Sequence, residues 1–461
     1  GFCNISLVSY GQQKSNSRIC TEQNKWNLIL NLKIYSRHNL LPFLIVSDYY
    51  KEKVEEVERT SKREKNGFNY ESDEDACGNA ALLSRKIEDC NDQMKELDTD
   101  EELSAWGLRI FGAEAKRPEI IWDFNSSSIV QCFLKNEIIS MAPLDGSKEK
   151  YFNGLLANGW LLKMVTASRN VDKVICEWTF DLMLYSTKAE LAFSACEFWC
   201  AVCEQKREIT INPEWFPTYG DLEQALVSYG YAFSVPTADH GNVGVSEERG
   251  PPHNICHWLK FVGSCFGKPK GAAFTPKEVE SLIEIVISLS LDRKLQPLVS
   301  LLLKVLRSLI DYFNEQQWNL SCGRVATSLA GRICSTSDGN WLRPVEFISP
   351  ATIRSGELKS SVAHRILAIS VGAEGEGILC MLMATDLKDR KCNLVKMNIY
   401  LSLTEKWVLS DRNVKGNPLI YEKFGAFLRH CSSSIPSNDM RTCASMLRAK
   451  AFFLLHAYVS I

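Results

Sequence analysis

Hydrophobic side chains recur at a helical period over most of the chain beyond residue 129. In residues 151–203, three apolar-periodic segments follow one another with breaks of only a few residues. The second of them has apolar side chains at i, i+3, i+4, i+7 and i+11, which are Val171, Val174, Ile175, Trp178 and Leu182. Connections this short favour antiparallel packing of each helix against its predecessor. The pattern predicts an all-α fold of irregular stacked helical hairpins, similar to an α-solenoid or HEAT array.

A loop divides this helical region into a first half at residues 129–231 and a second half at residues 253–457. The first half ends with a helix that Asp221 is expected to cap and Gly230 to terminate. Residues 232–252 are rich in Gly, Pro, Asp and Glu, and this composition predicts a long mobile loop.

The second half begins with a strong helix start. Thr275 and Glu278 have the spacing of a capping box, and Pro276 suits the first helical position. Pro297 starts another helix at residues 298–313, which is apolar almost all round and is expected to be a buried spine. The remaining periodic segments predict helices at residues 358–371, 376–386, 393–410 and 438–457.

Three segments precede the helical region. Residues 1–46 form an unpatterned N-terminal extension, whose place in the native product the sequence leaves open. Residues 47–98 are charged and acidic, as in the run ESDED at 71–75, and predict a disordered linker. Residues 99–112 predict a short amphipathic helix, because Thr99 is followed at capping-box spacing by a glutamate.

The apolar face of this short helix has two interpretations. The face consists of Leu103, Trp106 and Ile110, with Phe111 beside them. In one interpretation it is the first helix of the folded body. In the other it is a partner-binding peptide that enters a groove of another protein.

Charge, cysteine content and the length of apolar runs limit the classes of protein to which the chain could belong. The 461 residues contain 53 Lys and Arg against 55 Asp and Glu, so no basic excess indicates non-specific nucleic-acid binding. The 17 cysteines are scattered through apolar helical segments, which predicts reduced, buried thiols and a cytosolic or nuclear protein. No apolar run reaches the ~20 residues that span a bilayer, so no membrane partner is expected.

Three cysteines offer the most specific candidate chemistry. Cys196, Cys200 and Cys203 have the CxxxCxxC spacing with which radical enzymes hold an iron–sulfur cluster. They fall, however, at i, i+4 and i+7 of an amphipathic helix and alternate with Phe198 and Trp199. The pattern therefore favours core packing, and a metal- or iron–sulfur-dependent enzyme stays the alternative.

Other candidate sites are weaker. His253, Cys256 and His257, with Cys265 further on, lack the additional ligand spacing of known zinc sites and indicate a helix start. A basic cluster could contact phosphates, which leaves direct DNA binding as a third hypothesis; its members are Lys388, Arg390, Lys391 and Lys396. We expect no catalytic residue, no metal ligand and no cofactor, and hence no enzyme.

Longer segments of the chain resemble plant members of the CANIN family, named for the coiled-coil SMC and Nse interacting domain. The resemblance extends from about Asp48 to Leu455 and rests on whole segments. These segments are SDYYKEK at 47–53, ELSAWGLRIFG at 102–112, NGWLLKMV at 158–165, EWTFDLMLYSTKAEL at 177–191, SACEFWC at 194–200, GPPHNICHWLKFVG at 250–263 and LDRKLQPLV at 291–299. The first 46 residues do not take part in it.

The resemblance implies a function that the residues alone do not supply. The family consists of non-catalytic helical accessory subunits of the Smc five–six complex, which acts in DNA repair and genome maintenance. Membership would imply a nuclear adaptor that pairs with a second helical Nse-type subunit. Further implied partners are the SMC ATPase subunits and their SUMO ligase, with DNA contacted indirectly. The family has no catalytic residues to carry over.

Overall fold

The computed structural model describes residues 106–115, 127–128, 131, 147–204, 211–233, 252–266, 274–410, 417–441 and 443–459. These residues belong to one compact unit, residues 92–461. Of the described residues 73% are helical, in 15 α-helices, and only two short strands accompany them, so the predicted all-α fold is confirmed. The stacked, solenoid-like arrangement stays a prediction.

Six α-helices and both strands lie in the part of the chain that ends at Cys265. The helices and strands are α1 Ser147–Ala157, α2 Trp160–Ser168, β1 Asn170–Val171, α3 Lys173–Tyr185, α4 Ala189–Cys203, β2 Asn212–Pro213, α5 Tyr219–Ser228 and α6 Ile255–Cys265. The two strands pair in parallel, with Asn170 opposite Asn212 and Val171 opposite Pro213. Val171, which we predicted on the helix face, therefore lies in β1, where its side chain is nevertheless fully buried.

Nine further α-helices follow. They are α7 Pro276–Leu289, α8 Val299–Tyr312, α9 Glu315–Cys334, α10 Leu342–Phe347, α11 Ile353–Val371, α12 Glu376–Met383, α13 Leu394–Ser410, α14 Pro418–Ser434 and α15 Ala444–Leu454. The helices expected at 358–371, 376–386, 393–410 and 438–457 correspond to α11, α12, α13 and α15. A 3₁₀ helix at Arg293–Leu298 precedes α8, so Pro297 lies inside that helix rather than at the start of α8.

Helix starts follow the predicted chemistry with one correction. Thr275 and Glu278 form the expected capping box, and Pro276 is the first residue of α7. Asp221 is not the cap of α5. Thr218 is the cap, and Asp221 occupies the N3 position, where its carboxylate accepts from the Thr218 amide N–H at 2.7 Å. Helix α5 thus begins earlier because Thr218 and Asp221 satisfy its N-terminal amides together. Gly230 ends the segment with φ +80°, as expected.

Many of the contacts between helices join helices that lie near one another in the sequence. Helix α6, which follows the predicted loop at 232–252, contacts both α3 and α4. Further along, α11 contacts α9 on one side and α13 on the other, and α13 contacts α15. The helices on either side of the predicted division are therefore in direct contact. The loop itself lies mostly outside the described residues, as do the segments 1–46 and 47–98.

Among the described residues, no single helix is long and apolar enough to cross a membrane. Helices α11 and α12 meet the length and composition criteria only together, as a pair bent by 50°.

The prediction of a helix at residues 99–112 is wrong for residues 106–112, which are the described part of that range. Residues 106–110 have extended or irregular backbone, and Phe111 forms an isolated antiparallel bridge with Tyr231. The apolar spacing suits a helix, but hydrogen bonds to the helical body compete with those of a helix and hold this segment extended. Residues 99–105 lie outside the described residues.

Candidate functional site

Residues 106–115, called the strap, run along the helical body as an extended segment. Backbone hydrogen bonds hold it at both ends. The Leu108 N–H donates to the Leu291 carbonyl at 3.0 Å, and the Ala232 N–H donates to the Ile110 carbonyl at 3.0 Å. The Gly112 N–H donates to the Gly230 carbonyl at 2.7 Å. An extended segment leaves its amides unpaired unless a neighbour accepts from them, and here the body does so.

The strap buries two of the four side chains that were expected to bind a partner. Ile110 and Phe111 are each only 6% exposed and belong to the hydrophobic core. The Phe111 ring packs edge-on against the Tyr231 ring, with centroids 6.0 Å apart. The prediction that Ile110 and Phe111 bind a partner is therefore wrong, because both side chains lie in the hydrophobic core of this chain. Leu103 lies outside the described residues.

Trp106 is half-buried against two cations of the body. The guanidinium carbon of Arg293 lies 5.0 Å from the indole centroid, and that of Arg343 lies 4.1 Å from it. Next to it, the Gly107 N–H donates to the side-chain carbonyl of Asn340 at 2.6 Å. Cation–π attraction at Trp106 and the partly buried hydrogen bond of Gly107 attach this part of the strap to the body.

A cavity of about 30 Å³ lies beside the strap, lined by Ile110, Tyr231, Ser288 and Arg332 among others. The hydroxyl of Tyr231 and the Nε of Arg332 are buried without a hydrogen-bond partner. A volume of this size holds one or two water molecules, and its polar groups suit them. It is far below the ~300 Å³ of an ordinary small-molecule site.

Near the C-terminal end of the described chain, apolar side chains are exposed rather than buried. One side of α15, with the start of the π-helical turn Leu455–Val459, faces outward and carries no lysine, arginine or carboxylate. It comprises Ser445, Met446, Ala449, Phe452, Phe453 and His456, all exposed, and is called the C-terminal face. Phe452 and Phe453 are 57% and 60% exposed. Two adjacent phenylalanines exposed to this extent are unusual on a protein surface.

The inner side of α15 anchors it to the body. Leu447, Ala451 and Leu454 are buried, and Lys450 reaches α13. The Lys450 ammonium lies 2.9 Å from a carboxylate oxygen of Glu405 and donates to the Ser402 hydroxyl at 2.7 Å. Burial by itself would raise the pKa of Glu405, but Lys450 and Lys406 lower that pKa below its ordinary value. The C-terminal face therefore lies on a helix whose opposite side is packed against the body.

Two other exposed aromatic side chains, Trp160 and Phe193, are covered by a cation. Lys163 lies 4.3 Å from the ring centroid of Trp160, and Lys260 lies 5.2 Å from that of Phe193. No lysine or arginine among the described residues lies over Phe452 or Phe453 in this way. The C-terminal face is therefore the described aromatic surface that its own chain leaves most open.

The sequence interpretation did not identify these residues. The sequence predicted a helix at residues 438–457, and no side of that helix was assigned a role. The missed signal was that Met446, Ala449, Phe452 and Phe453 form a second apolar stripe on a helix whose first stripe already packs. A helix that is apolar on both sides is either enclosed in a core or bound by another molecule.

The cysteines of α4 are placed as the helical spacing predicted. Cys196 is fully buried, and its thiol donates to the His257 carbonyl at 3.8 Å. Cys200 and Cys203 are half-buried. The described residues contain no group of three or more His, Cys, Asp or Glu side chains positioned to hold a metal ion. His257 is 6% exposed, and burial lowers its pKa to about 4, as is typical of a neutral histidine in a protein core.

The basic cluster is divided by the structure. Lys388, Arg390 and Lys391 are exposed in the turn before α13. Lys396 lies within α13, and its ammonium is 5.3 Å from the ring centroid of Trp341. Three of the four residues therefore share one turn, while the fourth is directed onto an aromatic ring. Three exposed cations in a turn are a common feature of protein surfaces and do not by themselves define a phosphate site.

Comparison with known proteins found no protein-family model that matches this chain and no curated protein that matches it.

Proposed function

We propose that this chain is a non-catalytic helical adaptor of the Smc five–six complex, acting in the nucleus in DNA repair and genome maintenance. Its partners would be a second helical Nse-type subunit and, through the assembly, the SMC ATPase subunits with their SUMO ligase. The identity of the complex rests on the resemblance of the segments described above. The observation that supports an adaptor role of any kind is the C-terminal face.

The C-terminal face has the chemistry of a protein interface. Interface cores are depleted in charge and enriched in aromatic residues and methionine, and the face contributes Phe452, Phe453 and Met446 without a fixed charge. Exposure of these side chains to water is unfavourable by about 25 cal/mol per Å² of apolar surface. Burial against a partner recovers this free energy, and α15 is rigidly held and needs no reordering.

The occupant that fits best is an amphipathic helix of the partner subunit. The face is a single helix side with anchors at i, i+3 and i+7, namely Met446, Ala449 and Phe453. The small side chain of Ala449 lies between two large ones and leaves space for a residue of a second helix. Helix-on-helix packing of this kind is the usual contact between helical subunits.

The strap is not proposed as the contact. Ile110 and Phe111 are already buried against the body, and Trp106 is half-buried there. The partner-docking role that the sequence permitted for it would require the strap to leave that site. Trp106 thus serves the fold rather than the assembly.

The test is affinity purification of the tagged full-length protein from nuclear extract, with mass spectrometry of the bound proteins. We expect SMC and SUMO-ligase subunits to co-purify with the unmodified chain. The double variant Phe452→Ser and Phe453→Ser should reduce their recovery at least about tenfold, because both side chains leave the interface. Circular dichroism and thermal melting of the variant should be unchanged.

A matched control removes exposed apolar surface elsewhere. Leu320 and Ile353 are 66% and 56% exposed on α9 and α11, and their double substitution by Ser should leave the recovery unchanged. Reproducible absence of SMC subunits with the folded, unmodified protein would overturn the adaptor proposal. Equal recovery with the phenylalanine variant would instead overturn the assignment of the contact to the C-terminal face.

Two other functions carry less support. An iron–sulfur or metal enzyme would need Cys196, Cys200 and Cys203 as joint ligands, but Cys196 is fully buried and directed to a backbone carbonyl. Direct DNA binding would rely on the turn with Lys388, Arg390 and Lys391. Iron analysis of anaerobically purified protein and a salt-dependent DNA shift test these two alternatives.

A further inference from the structure

The C-terminal ends of α4 and α6 bring two thiols into contact. Cys203 is the last residue of α4 and Cys265 is the last residue of α6. Their sulfur atoms are 3.9 Å apart, although 62 positions separate them in the sequence. The two helices pack directly against each other, so this proximity is fixed by the fold.

The positions of the two thiols suit bond formation. A disulfide needs its sulfurs at about 2.05 Å, so the two sulfur atoms, which are already in contact, must approach by the remaining distance. Cys203 is half-buried and reachable from solvent, whereas Cys265 is only 7% exposed. A reagent therefore meets Cys203 first, and the buried Cys265 is the nearest thiol to resolve the product.

Cys200 is a competing thiol in the same cluster. The neighbouring Cys196 and Ser264 side chains lower the pKa of Cys200, against burial, which raises it. A lowered pKa favours the thiolate, which is the reactive form of a cysteine. An experiment must distinguish reaction at Cys200 from pairing of its two neighbours.

We propose that Cys203 and Cys265 are a modification site at which an intramolecular disulfide forms in response to a low-molecular-weight disulfide such as oxidised glutathione. The Cys203 thiolate attacks one glutathione sulfur, breaks the S–S bond and releases one glutathione thiolate. Cys265 then loses its proton and attacks the Cys203 sulfur of the mixed disulfide, which releases the second glutathione thiolate. Two protein thiols are oxidised, one glutathione disulfide is reduced, and the two protons go to the two released thiolates.

The disulfide would join two neighbouring helix ends. It closes a long loop of chain, and cross-links of this kind stabilise the folded protein chiefly by restricting the unfolded chain. Oxidation should therefore raise the melting temperature of the protein by about 3 °C or more. A merely packed pair of thiols would not give this shift.

The test treats the native, full-length protein with millimolar oxidised glutathione, alkylates the remaining thiols and maps cross-linked tryptic peptides by mass spectrometry. We expect one reducible peptide pair that contains Cys203 and Cys265. Cys265→Ala should abolish this pair, leave glutathione on Cys203 and remove the rise in melting temperature. Cys203→Ser, at a half-buried position, gives the same loss of the pair with less risk to folding.

Two control variants separate the rival thiols. Cys256 lies on α6 outside the sulfur contact, and Cys256→Ser should retain the cross-link. Cys200→Ser should retain it as well, because the pairing follows the short sulfur–sulfur distance. Absence of the Cys203–Cys265 pair in the oxidised native protein would overturn the proposal. A Cys200–Cys265 pair in its place, or loss of the pair in Cys200→Ser, would do the same.

Discussion

The strap and the C-terminal face are two short apolar segments near opposite ends of the described chain. The apolar side chains of the first are largely buried, whereas those of the second are exposed. The strap is extended and covers the body, so that Ile110 and Phe111 are each 6% exposed. The C-terminal face belongs to a regular helix, yet its two phenylalanines are 57% and 60% exposed. Both segments carry apolar side chains at helical spacing in the sequence.

The difference shows that apolar spacing in a sequence indicates side chains that favour burial. It does not indicate which surface buries them. The strap is buried by its own chain, because its backbone forms hydrogen bonds with Leu291, Gly230 and Ala232 of the body. Helix α15 satisfies its own backbone hydrogen bonds and buries only one side. Its other side is exposed, and the proposed adaptor function rests on this difference.

The largest effect is expected from Phe111→Ala. Removal of this buried ring should lower the free energy of unfolding by about 3–5 kcal/mol, since it deletes apolar contacts and leaves a cavity. Phe452→Ala is the matched control and should change that free energy by less than about 0.5 kcal/mol, because its ring is mostly in water. Urea unfolding at 25 °C measures both. Equal losses in the two variants would contradict the contrast between the strap and the C-terminal face.

Gly230→Ala should give the next largest effect, at the contact between the strap and the end of the α5 segment. Gly230 has φ +80°, and a Cβ there would lie 2.5 Å from the Ala113 carbonyl oxygen. Left-handed strain and this clash should together cost about 2 kcal/mol of stability and loosen the strap. Gly331→Ala is the control within α9, where a Cβ meets nothing within 4 Å. The control should be stabilised by up to about 1 kcal/mol, and a loss of stability there would show that added methyl groups act non-specifically.

Trp106→Ala should have a smaller effect, of about 1–2 kcal/mol on stability. The indole is half-buried and attracts the guanidinium groups of Arg293 and Arg343, so its loss removes packing and cation–π attraction. Thermal melting should fall while recovery of partner proteins from nuclear extract is unchanged. Reduced recovery at full stability would instead return the strap to the role of a partner-binding peptide.

Much of the helical architecture could be predicted from the sequence, because helix starts and periods are local. Thr275, Pro276 and Glu278 determine the start of α7 by contacts within four residues. The strap could not be predicted, since its extended conformation depends on Leu291 and Gly230, which are far away in sequence. The contact of Cys203 with Cys265 was missed for the same reason. The C-terminal face left a local signal in the second stripe of α15, and that signal was recognisable only once the buried stripe was known.

The smallest expected effect concerns how the two segments respond to acid. The strap depends on backbone hydrogen bonds and apolar contacts, whereas α15 is also held by the ion pair between Lys450 and Glu405. The pKa of Glu405 is lowered in the folded protein, because Lys450 and Lys406 outweigh its burial. The unfolded chain therefore binds this proton more readily, and the stabilisation is present above pH 4.5 and is lost as pH falls through the folded pKa.

Hydrogen exchange of the native protein at pH 7 and near pH 4 checks this expectation, after correction for the intrinsic exchange rate. Amides of α15 should lose protection in acid, while those of Leu108, Gly112 and Ala232, which hold the strap, should keep it. Glu405→Gln should loosen α15 already at neutral pH and remove most of the acid response of the helix, because no ion pair is left to titrate. Equal loss of protection in both segments would mean that α15 opens only with the whole body. The C-terminal face would then be held as firmly as the strap, and its exposure would be the property that distinguishes the two segments.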